Sequence, residues 1–200
     1  MAALRRANGR DEPWKVPLLR HRQRVLGGCG GNMRADDYTA LARQYSTFVR
    51  EHAGNKVTRI AGGANVDDYG WTEALMKDAG PHLPYQAISL HNYTFAHNWD
   101  KKGSARDFTT EEWYTTLANA ARTEELVARH STIMDRYDPR EEGRPGPRRV
   151  GGHLVGRRAR HQPGFLYQQN TVRDALVASI HFDGFHRHSD RLIMRTSPRR

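Results

Sequence analysis

The segment QAISLHNYTFAHNWDKKGSARDFTTEEWYTTLANAARTEELVARHSTIMDRY, residues 86–137, contains the clearest strand signal and the clearest helix signal of the chain. Its first eight residues, 86–93, are mostly apolar or small and predict a buried strand that runs into a polar loop. Thr109 and Glu112 then have the spacing of a capping box, which predicts a helix that continues to about Tyr137. A strand, a loop and a long helix in this order form the unit of a parallel α/β fold.

The flanking sequence repeats this alternation. Apolar periodicity predicts helices over 35–52, 72–79 and 165–179, and a β-branched run predicts a strand over 56–62. The apolar face expected for the helix over 35–52 consists of Tyr38, Leu41, Tyr45, Phe48 and Val49. The buried face expected for the long helix consists of Trp113, Leu117, Ala120, Val127 and Met134. Short strands that alternate with helices predict an α/β fold with βα units around a parallel sheet.

The positive charge is concentrated in three short windows. The chain has 200 residues and a formal net charge of +10. Thirteen arginines lie in residues 18–26, 140–161 and 195–200, which contain only two acidic residues, Glu141 and Glu142. The rest of the chain is close to neutral, and the arginines are not interleaved with aromatic side chains. This distribution argues against a nucleic-acid partner, although a basic nucleic-acid-binding protein is the alternative that the arginine excess leaves open.

Composition also limits the location and the chemistry. No stretch approaches the length of about 18 apolar residues that a membrane span needs. Residues 1–10 lack the apolar run of a secretory signal. The single cysteine, Cys29, excludes an internal disulfide framework. We therefore expect a cytoplasmic chain without a membrane partner.

Eight segments in the same order resemble the α-L-arabinofuranosidases of glycoside hydrolase family 51. They are NGRDEPWKV (8–16), GCGGNMR (28–34), ANVDDYGWTEALMKDAG (64–80), SLHNYT (89–94), KGSARDF (102–108), EEWYTTL (111–117), RHSTIMDRYDP (129–139) and PGFLYQQNTVRDALVASI (163–180). The resemblance implies a partial (β/α)8 TIM barrel over 1–194, roughly the second half of the catalytic domain. We expect the arginine-rich segments at 18–26 and 140–161 to be irregular and residues 195–200 to form a disordered tail.

The resemblance implies a retaining glycosidase that releases terminal arabinofuranose from arabinose-containing polysaccharides or oligosaccharides. Such an enzyme uses two carboxylates about 5 Å apart, one as acid/base and one as nucleophile. In the family these lie in a GNE-x-W-G motif before GCGGNM and in a DEWG motif before PGFLYQQNT. This chain has RQRVLG at 22–27 and RRVG at 148–151 in those places. No catalytic residue can be assigned, so we expect an inactive chain.

Both departures are compatible with a shifted reading frame. Residues 18–27 can be encoded so that the same bases, read one position later, give YFGIGNESWG. Residues 148–151 can likewise be encoded so that the shifted bases give DEWG. We therefore interpret the chain as a frame-disrupted fragment of an arabinofuranosidase gene.

His91, Tyr93 and Trp99 form the predicted substrate-binding set. His91 and Tyr93 end the predicted strand over 86–93 and match a histidine and a tyrosine that line the sugar site in the family. Trp99 lies in the polar loop that follows and is a candidate for the rim of that site. A polar strand end with a buried ring is the structural alternative. The implied partner is an arabinose-containing saccharide, with no cofactor and no metal, and the oligomeric state is left open.

Two pairs of acids have a structural explanation. Asp67 and Asp68 precede a predicted helix and are expected to fix its loop. Glu111 and Glu112 fit helix capping. Neither pair is expected to replace the missing catalytic carboxylates.

Several histidine and tryptophan side chains also have structural rather than functional explanations. His181, His186 and His188 are expected to lie at a solvated strand end and loop rather than around a metal ion. Trp113 is expected to pack in the core, and Trp71 is expected to pack its helix against the barrel. A non-functional or weakly saccharide-binding remnant of the enzyme remains a further hypothesis, because half a barrel leaves its sheet edges open.

Overall fold

The computed structural model describes residues 2–20, 32–52, 54–77, 84–98, 100–138, 149–155 and 170–196. Its strands are β1 (Leu18–Arg20), β2 (Thr58–Ala61), β3 (Ala87–Tyr93), β4 (Arg149–Val155) and β5 (Leu192–Thr196). They form one parallel sheet and are hydrogen-bonded in the order in which they occur in the sequence. The predicted α/β fold with a parallel sheet is confirmed.

The helices pack against one another in sequence order. They are α1 (Ala2–Ala7), α2 (Ala35–Ser46), α3 (Tyr69–Lys77), α4 (Thr110–Tyr137) and α5 (Val172–Arg187). Helix α3 contacts α2 and α4, and α4 contacts α5. The hydrophobic core draws on the sheet and on α2 to α5, and its largest members include Tyr38, Trp71, Leu75, Met76, Ile88, Leu90, Leu126, Met134 and Phe185.

The long helix starts where the sequence predicts. The Glu112 N–H donates to Thr109 Oγ1 at 3.1 Å, and the Thr109 N–H donates to Glu112 Oε2 at 3.0 Å. This is the predicted capping box. Helix α5 has a similar start, because the Thr171 N–H donates to Asp174 Oδ2 at 2.8 Å. These caps fix the first residues of α4 and α5.

Two arginine-rich windows that were expected to be irregular contain strands, so that expectation is wrong for those residues. β1 begins the window over 18–26, and β4 lies within the window over 140–161. β4 pairs with β3 along its whole length, from Ala87↔Arg149 to Tyr93↔Val155. Parallel pairing uses backbone N–H and C=O groups, so a segment without an apolar pattern can still occupy a strand position.

The expected disordered tail over 195–200 also needs correction. β5 continues to Thr196 and pairs with β4, so the first two residues of that tail belong to the sheet. Residues 197–200 lie outside the described residues, as do 21–31, 139–148 and 156–169.

Helix α2 buries less than its apolar pattern predicts. It ends at Ser46 instead of at residue 52, and of the expected face Tyr38 is buried. Tyr45 and Phe48 are 63% and 75% exposed. The physical reason is position: α2 follows the edge strand β1 and packs against α3, so it contacts a neighbouring helix on one side.

Among the described residues, no helix combines the length and the apolar content that crossing a bilayer requires.

Candidate functional site

The carboxyl end of β3 carries the predicted site, and its two faces have different neighbours. Successive strand residues point to opposite faces of a sheet. Asn92 is buried and its Nδ2 donates to Thr123 Oγ1 on α4 at 2.7 Å. Ser89, His91 and Tyr93 therefore lie on the face away from the helices. His91 and Tyr93 are brought together at the strand end, as predicted.

The segment after β2 holds the backbone of His91. The His91 N–H donates to the Ala64 carbonyl at 3.0 Å, and the Val66 N–H donates to the His91 carbonyl at 2.7 Å. These bonds make a parallel bridge between Asn65 and His91 beyond the end of β2. Only 7% of the His91 surface is exposed. The strand end is therefore fixed by its neighbour.

The hydroxyl of Ser89 lies where this segment meets β3. The Gly63 N–H donates to Ser89 Oγ at 3.0 Å, and Ser89 Oγ donates to the Ala61 carbonyl at 3.1 Å. His91 Nε2 lies 3.4 Å from the same oxygen. A Cβ on Gly63 would overlap the Ser89 carbonyl oxygen. Because that oxygen belongs to the backbone and cannot turn aside, only glycine fits at this position.

Val66 adopts a left-handed backbone conformation, with φ of 53°. For a β-branched residue this conformation costs about 1–3 kcal/mol. The Val66 carbonyl accepts a hydrogen bond from His130 Nε2 on α4 at 2.8 Å, and His130 Nδ1 lies 2.9 Å from Thr72 Oγ1. Because a carbonyl can only accept, His130 carries its proton on Nε2. Burial lowers the pKa of His130 and keeps the ring neutral. A buried histidine thus stabilises the strained turn that holds His91.

The ring of Tyr93 packs against a second, buried aromatic ring. The Tyr93 ring stacks with Phe95, with 6.2 Å between centroids and 8° between planes. Lys102 Nζ lies 5.8 Å from the Phe95 ring centroid. Ring faces beside polar groups are typical of small-molecule sites. The strand end thus places an imidazole and a phenol, both able to form hydrogen bonds with hydroxyl groups, beside a buried aromatic ring.

The acids near the strand ends have structural partners. Arg122 Nη2 donates to Asp67 Oδ2 at 2.8 Å, and Asp68 Oδ1 accepts from the Trp71 N–H at 3.0 Å at the start of α3. Glu112 caps α4, and its Oε1 lies 3.1 Å from His97 Nε2. The predicted roles of Asp67, Asp68 and Glu112 in fixing loops and helix starts are confirmed.

The expectation that His181, His186 and His188 lie at a solvated strand end and loop is wrong for their place in the fold and for the burial of His181, whereas His186 is exposed. His181 and His186 lie on α5 and His188 caps it, because the helix continues past residue 179 to bury Phe185 in the core. His181 is buried with Nε2 at 3.2 Å from Thr94 Oγ1, and burial lowers its pKa to about 4. Among the described residues, no three metal-binding side chains converge.

The tryptophans singled out from the sequence differ in burial and in whether the structure describes them. Trp71 is buried in the core, and its Nε1 donates to the Gly62 carbonyl at 3.0 Å. Trp113 is half-buried and contacts Phe108, with 5.7 Å between ring centroids. Trp99 lies outside the described residues, so its place at the rim stays a prediction.

Comparison with known proteins shows which enzymes the chain resembles. The crystal structure of the family 51 arabinofuranosidase from Xanthomonas axonopodis pv. citri matches with a TM-score of 0.84 and 38% identity, over 100% of this chain and 40% of that one. An intracellular exo-α-L-arabinofuranosidase from Bacteroides ovatus is 39% identical over 207 residues, covering 97% of this chain and 37% of the relative. The chain is similar to family 51 arabinofuranosidases over part of their length. The resemblance inferred from the eight segments is confirmed.

The relationship covers part of each enzyme. A family 51 α-L-arabinofuranosidase from Bifidobacterium longum has a TM-score of 0.69 at 16% identity, over 100% of this chain and 42% of that one, and shows the fold alone. The chain thus spans about two-fifths of the length of these family 51 relatives. Residues 136–197 match the family profile of the α-L-arabinofuranosidase C-terminal domain. That region begins at the end of α4 and includes β4, α5 and β5. Its two strands belong to the same sheet as β1, β2 and β3.

Sequence reasoning missed the residues that support His91. Gly63 and Ser89 left a visible signal, since a glycine pair directly follows a strand pattern and a serine lies two residues before the histidine. His130 left none, because it is 64 positions away from Val66 in the sequence.

Proposed function

We propose that this chain is part of an α-L-arabinofuranosidase catalytic domain and forms a segment of a (β/α)8 barrel. Support comes from the described part of the chain, in which five parallel strands follow sequential order and α2 to α5 pack in the same order. Right-handed βα crossovers in sequential order put all helices on one side of the sheet, as a barrel requires. A doubly wound sheet would instead reverse its strand order at a switch point.

The proposed role of the described site is saccharide binding. His91 and Tyr93 come to the same face at the carboxyl end of β3, the end at which barrel enzymes bind their substrates. This juxtaposition is the observation that carries the proposal. We propose that the two side chains contact a terminal arabinofuranose unit, with Trp99 in the following loop as a rim residue. The family relationship supplies the class of substrate.

We also propose that this chain is catalytically inactive. Retaining hydrolysis needs an acid/base carboxyl group and a nucleophilic carboxylate. The segments that would hold them read RQRVLG and RRVG, and Asp67, Asp68 and Glu112 already serve structural roles. We attribute the absence of both carboxylate motifs to a shifted reading frame. We also propose a cytoplasmic location, because the Bacteroides ovatus relative is named as intracellular.

Two measurements on the purified full chain test this proposal. With 4-nitrophenyl α-L-arabinofuranoside we expect no release of nitrophenol above the buffer blank, and clear turnover would contradict the inactive assignment. Titration with methyl α-L-arabinofuranoside should shift the NMR signals of His91 and Tyr93. His91→Gln should abolish the shift of the Tyr93 signals, whereas Asn92→Ala, on the opposite face of the same strand, should retain the shifts of both residues. Shifts that survive His91→Gln unchanged would place the sugar elsewhere.

The reading-frame explanation has its own test. The coding DNA of residues 18–27 and 148–151 should contain codons that spell YFGIGNESWG and DEWG one base later. Codons that do not permit these shifted readings would refute the explanation and leave the binding proposal intact.

A further inference from the structure

We propose that His130 on α4 is a positioning residue for the saccharide site, because it fixes the turn at Val66 to which the carboxyl end of β3 is bonded. The effect on a bound sugar rests on the proposed function. The effect on the strand end does not, because it follows from contacts inside the protein.

The imidazole of His130 connects the turn to a second helix. Its Nε2 lies 2.8 Å from the Val66 carbonyl oxygen, and its Nδ1 lies 2.9 Å from Thr72 Oγ1 on α3. A carbonyl oxygen can only accept a hydrogen bond, so Nε2 carries a proton. Burial lowers the pKa of the ring, which is therefore neutral near pH 7, and Nδ1 accepts the hydrogen of the Thr72 hydroxyl. Both ring nitrogens thus have a partner, and the direction of each hydrogen bond is defined.

The surroundings of the ring keep it in this orientation. His130 and Thr72 are both buried. The Tyr69 ring packs against the imidazole, with 4.7 Å between centroids and 45° between planes. If the imidazole turned away, a buried hydroxyl and the Val66 carbonyl would lose their hydrogen bonds. The ring therefore has one favoured orientation relative to the turn.

Val66 is held on both sides of its strained N–Cα bond. Its φ of 53° lies in the left-handed region, which a β-branched residue adopts only under constraint. On one side, its N–H donates to the His91 carbonyl at 2.7 Å. On the other side, its carbonyl accepts from His130 Nε2. Without the imidazole, rotation to a negative φ would relieve the strain.

This rotation would move the part of the turn that contacts β3. The residues that follow Val66 are tied to the helices, Asp67 to Arg122 on α4 and Asp68 to the first turn of α3. Rotation would therefore displace the amino side of Val66, which includes the N–H bonded to His91. Loss of the imidazole should loosen the strand end and weaken its affinity for an arabinofuranoside.

Two substitutions of His130 separate positioning from a loss of packing. The side-chain nitrogen of His130→Gln reaches the position of Nε2 and can still donate to the Val66 carbonyl, whereas that of His130→Asn reaches only the position of Nδ1. Both variants replace a buried ring by a buried amide, so both should lose stability. They differ in whether the turn keeps its hydrogen bond.

NMR of the full chain labelled with ²H, ¹³C and ¹⁵N reads the contact with β3. The scalar coupling across the hydrogen bond from the Val66 N–H to the His91 carbonyl reports the geometry of the folded molecule, whatever its stability. We expect this coupling in the wild type and in His130→Gln, and its loss in His130→Asn. Phe185→Leu, a core substitution on α5, should retain it. Persistence of the coupling in folded His130→Asn would overturn the proposal.

The wild-type protein supplies a second measurement that needs no folded variant. Correlations between ring protons and ring nitrogens distinguish the two nitrogens of His130. Near pH 7 we expect Nε2 to have the chemical shift of a protonated nitrogen and Nδ1 that of an unprotonated one. The reverse pattern would mean that the ring does not donate to the Val66 carbonyl, and the proposal would be wrong.

Titration with methyl α-L-arabinofuranoside, followed through the Tyr93 signals, separates this proposal from the proposed function. We expect the dissociation constant to rise about tenfold in His130→Asn, the effect of one lost hydrogen bond, and to stay close to the wild-type value in His130→Gln. Wild-type affinity in folded His130→Asn would overturn the role in recognition. An absence of shifts in the wild type would contradict the proposed function, and the coupling between Val66 and His91 would still decide whether His130 positions the strand end.

Discussion

Acid should destabilise this protein through His181, and the size of the effect can be calculated. Burial on α5 lowers the pKa of His181 from 6.5 to about 4. The ring lies against Thr94 and stacks with Phe185, with 6.3 Å between ring centroids. In the unfolded chain the same ring takes up a proton near its ordinary pKa. Below pH 6.5 protons therefore bind the unfolded state first, and stability falls as the pH falls toward 4.

A pKa difference of one unit corresponds to about 1.4 kcal/mol. Linkage then gives a loss from His181 of about 2 kcal/mol between pH 7 and pH 5, and of about 3 kcal/mol by pH 4. Burial lowers the pKa of His130 as well, so this second ring adds a loss of the same sign. These losses are large against the stability of about 5–15 kcal/mol that is usual for a domain.

Urea unfolding followed by circular dichroism at several pH values measures the effect. The wild-type protein should lose about 2 kcal/mol more than His181→Gln between pH 7 and pH 5, because glutamine does not titrate. His186→Gln changes an exposed histidine on the same helix and should follow the wild-type curve. Parallel curves for the wild type and His181→Gln would refute the reasoning, since the buried ring would then have no part in the pH dependence.

Three further substitutions test the supports of the site. Gly63→Ala should cost at least about 3 kcal/mol or prevent folding, because its Cβ would overlap the Ser89 carbonyl oxygen, whereas Gly70→Ala at the start of α3 should change stability by less than about 1 kcal/mol. His130→Leu should cost about 2–4 kcal/mol, because it leaves the carbonyl of a strained turn and a buried hydroxyl without their partner. Asn92→Ala should cost about 1–2 kcal/mol and leave saccharide binding intact, because its amide bonds to α4.

Thermal and urea unfolding of these variants give the stabilities, and the arabinofuranoside titration gives the binding. A Gly63→Ala protein as stable as Gly70→Ala would contradict the close approach of the two strand ends. Wild-type stability in His130→Leu would mean that the left-handed turn needs no support from α4. Loss of sugar binding in folded Asn92→Ala would place this residue in the site.

The local part of the fold could be predicted because its signals are local. The capping box of Thr109 and Glu112 and the apolar pattern of residues 86–93 located α4 and β3 nearly to the residue. The position of His91 and Tyr93 at a strand end followed from the same pattern. These features depend on neighbours within a few positions, which a single sequence displays.

The features of the fold that were not predicted depend on contacts between residues far apart in the sequence. β4 was not predicted, because its strand conformation is imposed by pairing with β3 and β5 rather than by its own side chains. His181 was read as solvated, although its burial is set by Thr94, 87 positions away. The apolar pattern alone did not show that Phe48, beyond the end of α2 at Ser46, is exposed. Tertiary packing overrode the local signal in each case.

The two-sidedness of β3 has a consequence for how such a scaffold can change. Residues that anchor the strand to the helices alternate with residues that point toward the proposed ligand, so each class occupies its own register along seven consecutive positions. Both registers are buried as far as Asn92, so substitution of the half-buried Tyr93 should alter recognition at the least cost in melting temperature. A library restricted to the codon of Tyr93 would thus explore new specificities while escaping much of the usual conflict between robustness and innovation.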